Sequence, residues 1–160
     1  MEIFPIAQIY KMIIYIRTLL KDIFRLGKKY PWPKPERCPR CGHTRIWGHG
    51  YVDALFDGYD KALQLKRYRC PCCGCVMRLR PSSHLSRFQA STQTIRETLS
   101  IRIKTGRWPP DCPVSRVGHW LRSLKRKSFS LFGYSSGKDL IKVFDYLLLT
   151  GINPISRSIN

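Results

Sequence analysis

Alternating apolar and polar residues predict three short strands in the first half of the chain. The alternation runs through residues 63–69 and 76–80, while residues 44–52 show the same character with glycines at two bends. Side chains of a half-buried strand point alternately to the core and to solvent, so this period of two is typical of antiparallel strands. Asp57 and Gly58, between the first two strands, are typical of a turn.

Apolar residues at helical spacing predict three helices in the second half of the chain. They cover residues 93–104, 116–127 and 138–149. The sequence from Thr94 to Glu97 fits a capping box at the start of the first helix. The further boundary signals are Gly106 as a C-terminal stop, Ser115 as an N-terminal cap, Gly151 as a final stop and Pro154, which prevents a restart.

The first thirty residues predict a fourth, amphipathic helix. In residues 9–29 the basic side chains fall on one arc of a helical projection and the apolar ones on the other, with Ile14 as the exception. Charges at Lys11, Arg17 and Lys21 interrupt any apolar run of the roughly 20 residues that a transmembrane helix needs. We expect residues 1–30 to pack or dimerise, with a membrane-surface helix as the alternative. The proline-rich residues 31–35 predict a stiff linker.

The charge of the chain favours a polyanionic partner. Lys and Arg total 29 against 10 Asp and Glu, a formal net charge of +19. Most of the excess lies in the middle, where residues 31–80 carry ten basic and four acidic residues and residues 81–127 carry ten and two. Such an excess attracts nucleic acid through release of the phosphate counterions.

The cysteines indicate a metal site. Six of the seven lie between Cys38 and Cys75, and no clear secretory signal precedes them, so metal ligands are favoured over disulfides. Two motifs of the form Cys-Pro-x-Cys-Gly occupy residues 38–42 and 70–74. Each places two thiolates two residues apart, and together they make a closed tetrahedral shell suited to structural Zn²⁺. The predicted ligands are Cys38, Cys41, Cys70 and Cys73.

Other ligand sets stay open at this point. Cys72 and Cys75 have the same spacing and form a rival second pair, and His43 or His49 could replace a cysteine. Cys112 stands apart and is expected to be a packing residue.

Basic residues on the predicted strands and on the second predicted helix are candidate phosphate contacts. A helix, a turn and a second helix with a basic outer surface are typical of a helix-turn-helix, although the proline-rich turn is longer than usual and an ordinary basic hairpin is the alternative. The candidates on the strands are Arg45, Lys66, Arg67, Arg69, Arg78 and Arg80. Those on the helix are Arg116, His119, Arg122, Lys125, Arg126 and Lys127.

Three motifs carry a resemblance to a known family. They are C-P-R-C-G-H, then R-Y-R-C-P-C-C-G-C, with 28 residues between Cys41 and Cys70, and later H-W-L-R-S-L-K-R-K. Together they resemble the zinc-ribbon and helix-turn-helix head of bacterial insertion-sequence transposases, especially small stand-alone proteins of mobile elements. The resemblance covers about residues 36–127. It implies that the ribbon and the following helices bind element-end DNA, while strand transfer belongs to a separate integrase-like subunit. The catalytic acidic triad of that family has no counterpart here.

The sequence therefore predicts an α+β chain: an antiparallel zinc ribbon over residues 36–80, a helix-turn-helix-like segment over 81–127, and amphipathic helices at both ends, the last within 128–160. We expect a bacterial, cytoplasmic, nucleoid-associated DNA-binding protein without a transmembrane segment, which is an accessory component of a transposase and not itself an enzyme, with a homodimer as one candidate assembly. A transcriptional regulator, an RNA- or protein-binding module and a divergent metal-dependent nuclease are the alternatives. The last would need Asp53, Asp57 and Asp60 as ligands.

Overall fold

The computed structural model describes residues 11–133 and 139–156, which form an α+β fold in two compact units, Met1–Ser86 and Arg87–Asn160. The first unit is built on a four-stranded sheet and the second on three helices. The predicted helix-turn-helix-like segment and the C-terminal helix therefore belong to one unit, and the boundary falls after Ser86 instead of after residue 80. The elements are β1 (Lys11–Ile16), α1 (Leu20–Leu26), a short 3-10 helix (Gly27–Lys29), β2 (Trp47–Ala54), β3 (Leu63–Arg69), β4 (Val76–Pro81), α2 (Thr92–Thr105), α3 (Val114–Phe132) and α4 (Leu140–Leu149).

The sheet has the strand order β1-β4-β3-β2. Strands β2, β3 and β4 pair antiparallel, as the alternating pattern predicts, and β3 coincides with the predicted residues. The pairing of β2 with β3 shifts register between Gly48 and Tyr51, because β2 carries an irregularity there. Gly50 lies within it at a φ of +68°, a conformation that favours glycine.

The N-terminal helix predicted for residues 9–29 is wrong over its first half. Residues Lys11–Ile16 form strand β1, which pairs parallel with β4, and only Leu20–Leu26 is helical before the 3-10 turn. The strand places Met12 opposite Met77 and Ile14 opposite Leu79. Since Met12, Ile14 and Ile16 pack together against the sheet core, a period of two accounts for Ile14, the residue that a helical period left on the polar side. Residues 1–10, which include the first two positions of the predicted helix, lie outside the described residues.

The proline-rich segment does more than link two elements. Residues 31–35 have no regular secondary structure, as predicted for a run of prolines. Trp32, however, packs against both apolar clusters of the sheet unit, one around Met77 and Leu79 and the other around Ile23 and Leu65. Residues 31–35 are thus anchored on the sheet unit by one large side chain, and they are not a free linker.

Two side chains that can carry charge, Arg80 and His84, are buried at the end of β4 and just after it. Arg80 is only 4% exposed, and its Nε donates to the carbonyl oxygens of His84 and Leu85 at 3.2 and 3.1 Å. Its guanidinium lies 5.0 Å from the ring centroid of Phe56, which also meets the ring of His84 edge-on. Burial, and then the positive charge of Arg80, lower the pKa of His84 to about 4 despite the opposing charge of Asp57.

This lowered pKa predicts an acid-sensitive sheet unit. Because the folded state holds His84 neutral, the unfolded state takes up its proton first, so stability is complete above about pH 6.5 and falls as the pH drops toward 4. The full loss is on the order of 3 kcal/mol. Urea unfolding of the unmodified protein and of His84→Gln between pH 7 and 4 measures it. The difference between the two proteins isolates His84, because any acid effect on the cysteines is common to both, and parallel pH profiles would contradict the prediction.

The helical unit contains α2, α3 and α4, which pack against one another. Helix α2 is capped by the Ser91 side chain, which accepts from the Thr94 backbone, so the cap lies three residues before the predicted Thr94. Gly106 ends α2 in the left-handed region at a φ of +69°, as predicted. Helix α3 begins at Val114 after Pro113, without the predicted Ser115 cap, and runs five residues further than residue 127. Arg96 on α2 and Asp145 on α4 are joined by a bidentate ion pair whose two distances are both 2.7 Å.

The chain after α4 folds back along α3. Ser156 lies at the Ser123 side chain, with its backbone N–H donating to Ser123 Oγ at 2.6 Å and its own hydroxyl at 2.9 Å. His119 Nε2 donates to the Ser156 carbonyl at 2.7 Å, and Lys127 donates to the carbonyl of Asn153. Residues one helical turn apart on α3 therefore hold one irregular segment, residues 153–156, in which the Ile155 side chain is fully buried.

We expect Ile155→Ala to destabilise the helical unit by about 2–5 kcal/mol, because it removes a fully buried side chain and leaves a cavity. Thermal or urea unfolding followed by circular dichroism measures the change. Ile152→Ala is the matched control, since Ile152 is 40% exposed and loses little packing. Equal stability of the two variants would mean that residues 153–156 do not pack on α3.

Candidate metal centre and basic surface

Two loops of the sheet unit have the same backbone geometry. In the first, the Cys38 carbonyl accepts from Gly42 N–H at 2.9 Å and Cys38 N–H donates to the His43 carbonyl at 2.9 Å. In the second, the equivalent bonds join Cys70 to Gly74 at 3.0 Å and to Cys75 at 2.9 Å. Both glycines have positive φ, +73° for Gly42 and +71° for Gly74, which closes each turn around its two thiols. The repeated Cys-Pro-x-Cys-Gly sequence thus folds into two matching knuckles.

The knuckles bring four sulfur atoms together. The Sγ atoms of Cys38, Cys41, Cys70 and Cys73 all lie within 4.8 Å of one another, and the pairs Cys38–Cys73 and Cys41–Cys70 are 3.5 Å apart. Four sulfurs at about 2.3 Å from one tetrahedral ion are separated by about 3.8 Å, so the cluster has the size of a tetrathiolate site. These four residues could therefore hold a metal ion.

The rival ligands fall outside this cluster. Cys72 is exposed, whereas Cys75 is fully buried in the apolar core next to Met77 and occupies the place that His43 takes in the first knuckle. His43 contributes its backbone carbonyl to the first knuckle, and His49 lies in β2. Among the described residues, the only group of cysteine, histidine or acidic side chains close enough to share an ion is the four-cysteine cluster.

Electrostatics show why this cluster favours a cation. Burial of the Cys38 thiol opposes its ionisation, but backbone hydrogen bonds from Cys41 and Arg40 and the adjacent thiols outweigh it and lower the pKa of Cys38 to about 6. A backbone hydrogen bond from His43 favours the Cys41 thiolate, yet burial and the three neighbouring thiols prevail and raise the pKa of Cys41 to about 12. The Cys38 thiolate forms readily, and its negative charge then disfavours ionisation of the neighbouring thiols. A divalent ion removes that repulsion, so it would allow all four sulfurs to ionise.

A basic pair extends directly from the second knuckle. Cys70 follows the last residue of β3, and Cys75 precedes the first residue of β4, so this knuckle joins the two strands. The register sets Arg67 on β3 directly opposite Arg78 on β4, and cross-strand partners share a face of the sheet. The Arg67 Nε is buried and has no hydrogen-bond partner. A buried guanidinium donor without a partner, with a second arginine directly across the strand pair, concentrates positive charge on this face of the sheet.

The other predicted strand contacts are dispersed around this pair. Arg69 is exposed and pairs with Val76 on one side and Trp47 on the other, and Arg45 is exposed in the loop before β2. Lys66 is half-buried, with its Nζ 4.5 Å from the ring centroid of Tyr51. Arg80 is a correction, because its burial against Phe56 and the chain after β4 removes it from any solvent-facing contact surface.

The predicted contacts on α3 divide into two groups. Arg122, Lys125 and Arg126 are exposed, as expected for a contact surface. His119 and Lys127 instead bind the segment 153–156, so their prediction as free phosphate contacts is corrected. Arg116 is half-buried, with its guanidinium 5.9 Å from the Trp120 ring centroid. The basic surface of α3 is therefore narrower than the helical projection predicts.

Two features of the structure have no counterpart among the sequence predictions. The partnerless Arg67 Nε depends on strand register, which no local pattern contains. The stacking of Arg102 on Trp108 depends on how the turn after α2 folds back. Trp108 itself indicates a role outside the core. It lies in a proline-rich turn beside basic residues and belongs to no helical or strand pattern that would predict its burial.

The acidic residues of β2 and of the loop that follows it do not form a cluster. Asp53, Asp57 and Asp60 are exposed, and they form no group close enough to bind an ion within the part of the chain that the structure describes.

In residues 11–133 and 139–156 there is also no helix with the length and apolar character needed to cross a bilayer.

No protein-family model, curated protein or solved structure matches this chain. The resemblance to the DNA-binding head of insertion-sequence transposases therefore remains a prediction from the sequence motifs.

Proposed function

We propose that this chain is a DNA-binding protein whose sheet unit is a zinc ribbon. One structural Zn²⁺ would be held by Cys38, Cys41, Cys70 and Cys73. Zinc fits best because four thiolates in a tetrahedral cluster match its preferred ligands and geometry. Four protein ligands leave no position for an activated water, so the ion would stabilise the fold without taking part in chemistry.

The cross-strand pair of Arg67 and Arg78 is the observation that carries DNA binding. Like charges directly opposite each other on paired strands cost stability, and a buried Nε without a partner adds to that cost. A phosphate bound to the outer guanidinium nitrogens of this pair would reduce the like-charge cost. Metal binding would also stabilise the arginine pair. The second knuckle, which supplies Cys70 and Cys73, joins the paired strands β3 and β4 on which the two arginines lie.

The helical unit would add contacts through α3. Arg122, Lys125 and Arg126 are exposed on one helix, and basic side chains on a helix can contact phosphates and base edges in the major groove. The sequence resemblance extends the proposal to an accessory role in a mobile element, in which a separate integrase-like subunit carries out strand transfer.

Titration of a blunt duplex with zinc-loaded protein at several salt concentrations tests this function. We expect the logarithm of the binding constant to fall linearly with the logarithm of salt, with a slope of about −0.9 per phosphate contacted. Adding single-stranded RNA as a competitor separates duplex recognition from an RNA-binding module. Failure to bind duplex at low salt, or complete displacement by an equal amount of single-stranded RNA, would reject the proposal.

A further inference from the structure

The turn after α2 exposes a large aromatic side chain in basic surroundings. Trp108 is 41% exposed, and the guanidinium carbon of Arg102 lies 3.9 Å from its ring centroid. This separation is that of a guanidinium stacked on an aromatic ring. Arg102 belongs to the last turn of α2, so the stack depends on the sharp stop at Gly106 that turns the chain back.

Helix α3 packs close to Trp108 at Gly118, which has no side chain. Gly118 is buried, and a Cβ added there would lie 3.7 Å from the Trp108 ring edge and 3.2 Å from Arg122 Nη1. A second guanidinium therefore lies at the position where the tryptophan packs on α3. Lys104 and Arg107 are exposed within four residues of Trp108 in the chain, and they add positive charge around the ring.

Among the described residues none of these cations forms an ion pair, and the one acidic residue within four positions of Trp108 is the exposed Asp111. The ion pairs within residues 11–133 and 139–156 are Arg25 with Asp22 and Arg96 with Asp145, and neither involves the residues around Trp108. An exposed indole with a guanidinium stacked on it and an excess of positive charge nearby complements a flat aromatic group that carries negative charge.

We propose that Trp108, Arg102 and Arg122 form a stacking site for one unpaired nucleobase of a DNA strand, with the adjoining phosphate held by the arginines. The inference rests on the proposed DNA-binding function and extends it, because it predicts preference for DNA that has an unpaired end over fully paired DNA. A nucleobase supplies both the π-face that stacks on indole or guanidinium and the phosphate that balances the charge. The stacked tryptophan and arginine therefore favour nucleic acid over a protein partner. An acidic protein partner would supply carboxylates for the arginines but no flat base to stack on the ring.

Fluorescence of 2-aminopurine tests the site directly. The wild-type, zinc-loaded protein is titrated with a blunt duplex and with the same duplex carrying a short single-stranded overhang that contains 2-aminopurine. We expect tighter binding of the overhang substrate and quenching of 2-aminopurine as it stacks. Trp108→Leu keeps apolar bulk against Gly118 but has no π-face, so it should lose roughly 5- to 100-fold in affinity for the overhang substrate and abolish the quenching.

Matched variants separate stacking from folding. Trp108→Phe keeps a π-face and should retain most of the preference, whereas Arg102→Lys keeps the charge without the planar stack and should weaken the quenching. Trp47→Leu removes a tryptophan of similar exposure, 55%, from the other unit and should leave the preference unchanged. Affinity for the blunt duplex and the thermal unfolding of each variant report on its fold.

The outcomes distinguish this site from the proposed function. Binding of blunt duplex with no overhang preference, or with identical quenching in Trp108→Leu, would overturn the stacking site and leave duplex binding intact. Binding of the overhang strand without any binding of blunt duplex would support the stacking site and reject the proposed duplex function. Absence of binding to both substrates would overturn both.

Discussion

Cys38→Ser is expected to abolish metal binding and unfold the sheet unit. Cys38 is 2% exposed, its backbone closes the first knuckle through two hydrogen bonds, and its sulfur lies 3.5 Å from that of Cys73. A structural zinc contributes about 10–16 kcal/mol of apparent binding free energy in small zinc domains, which matches or exceeds the total stability of about 5–15 kcal/mol of an ordinary domain. Losing the ion therefore removes the unit's margin of stability.

Zinc stoichiometry and the dispersion of amide resonances, measured on the whole chain, check this result. Cys72→Ser is the matched control, because Cys72 lies in the same knuckle but is exposed and outside the cluster. Cys112→Ser makes the same change in the helical unit. Both controls should keep one zinc per chain and a folded sheet unit. A Cys38→Ser protein that keeps its zinc and its resonances would show that another set of ligands holds the ion.

Joint replacement of Arg67 and Arg78 by alanine should weaken duplex binding by about 10- to 100-fold. The change removes the two guanidinium groups that the register sets opposite each other, and it should reduce the magnitude of the salt slope by about 2, roughly one phosphate contact for each arginine. The same replacement relieves like-charge repulsion and removes the unsatisfied Nε, so the folded protein should lose no stability.

Fluorescence anisotropy at four or more salt concentrations gives both the affinity and the slope. Arg25→Ala is the control, since Arg25 is an exposed arginine of the same unit that is already paired with Asp22. An equal loss of affinity in the control would indicate a general effect of net charge. Unchanged affinity and slope in the double variant would remove the Arg67–Arg78 pair from the contact surface.

The sequence predicts most of the sheet because its signals are local. The period of two in residues 63–69 depends only on neighbouring positions, and β3 forms there. The repeated Cys-Pro-x-Cys-Gly motif likewise predicts which four sulfurs come together, since the same local turn forms twice. The frame that repeats this motif favours Cys73 over Cys75, and the structure has Cys73 in the cluster.

The parts that the sequence misses depend on contacts between distant residues. Strand β1 forms because Met12 and Ile14 pair with Met77 and Leu79, more than sixty residues away in the chain. This pairing overrides the helical pattern, in which apolar and basic residues fall on opposite faces. His119 and Lys127 occupy the polar arc of α3, yet residues 153–156 return to cover them. Arg80 fits the alternation of β4 as an outward residue, but the chain that follows the strand buries it.

X-ray absorption spectroscopy at the zinc edge, together with native mass spectrometry of the purified chain, tests the central proposal most directly. It should show one zinc ion per folded chain, surrounded by four sulfur ligands at about 2.3 Å. A folded chain that binds no metal would contradict it. So would an ion whose shell contains nitrogen or oxygen ligands in place of any of the four cysteine sulfurs.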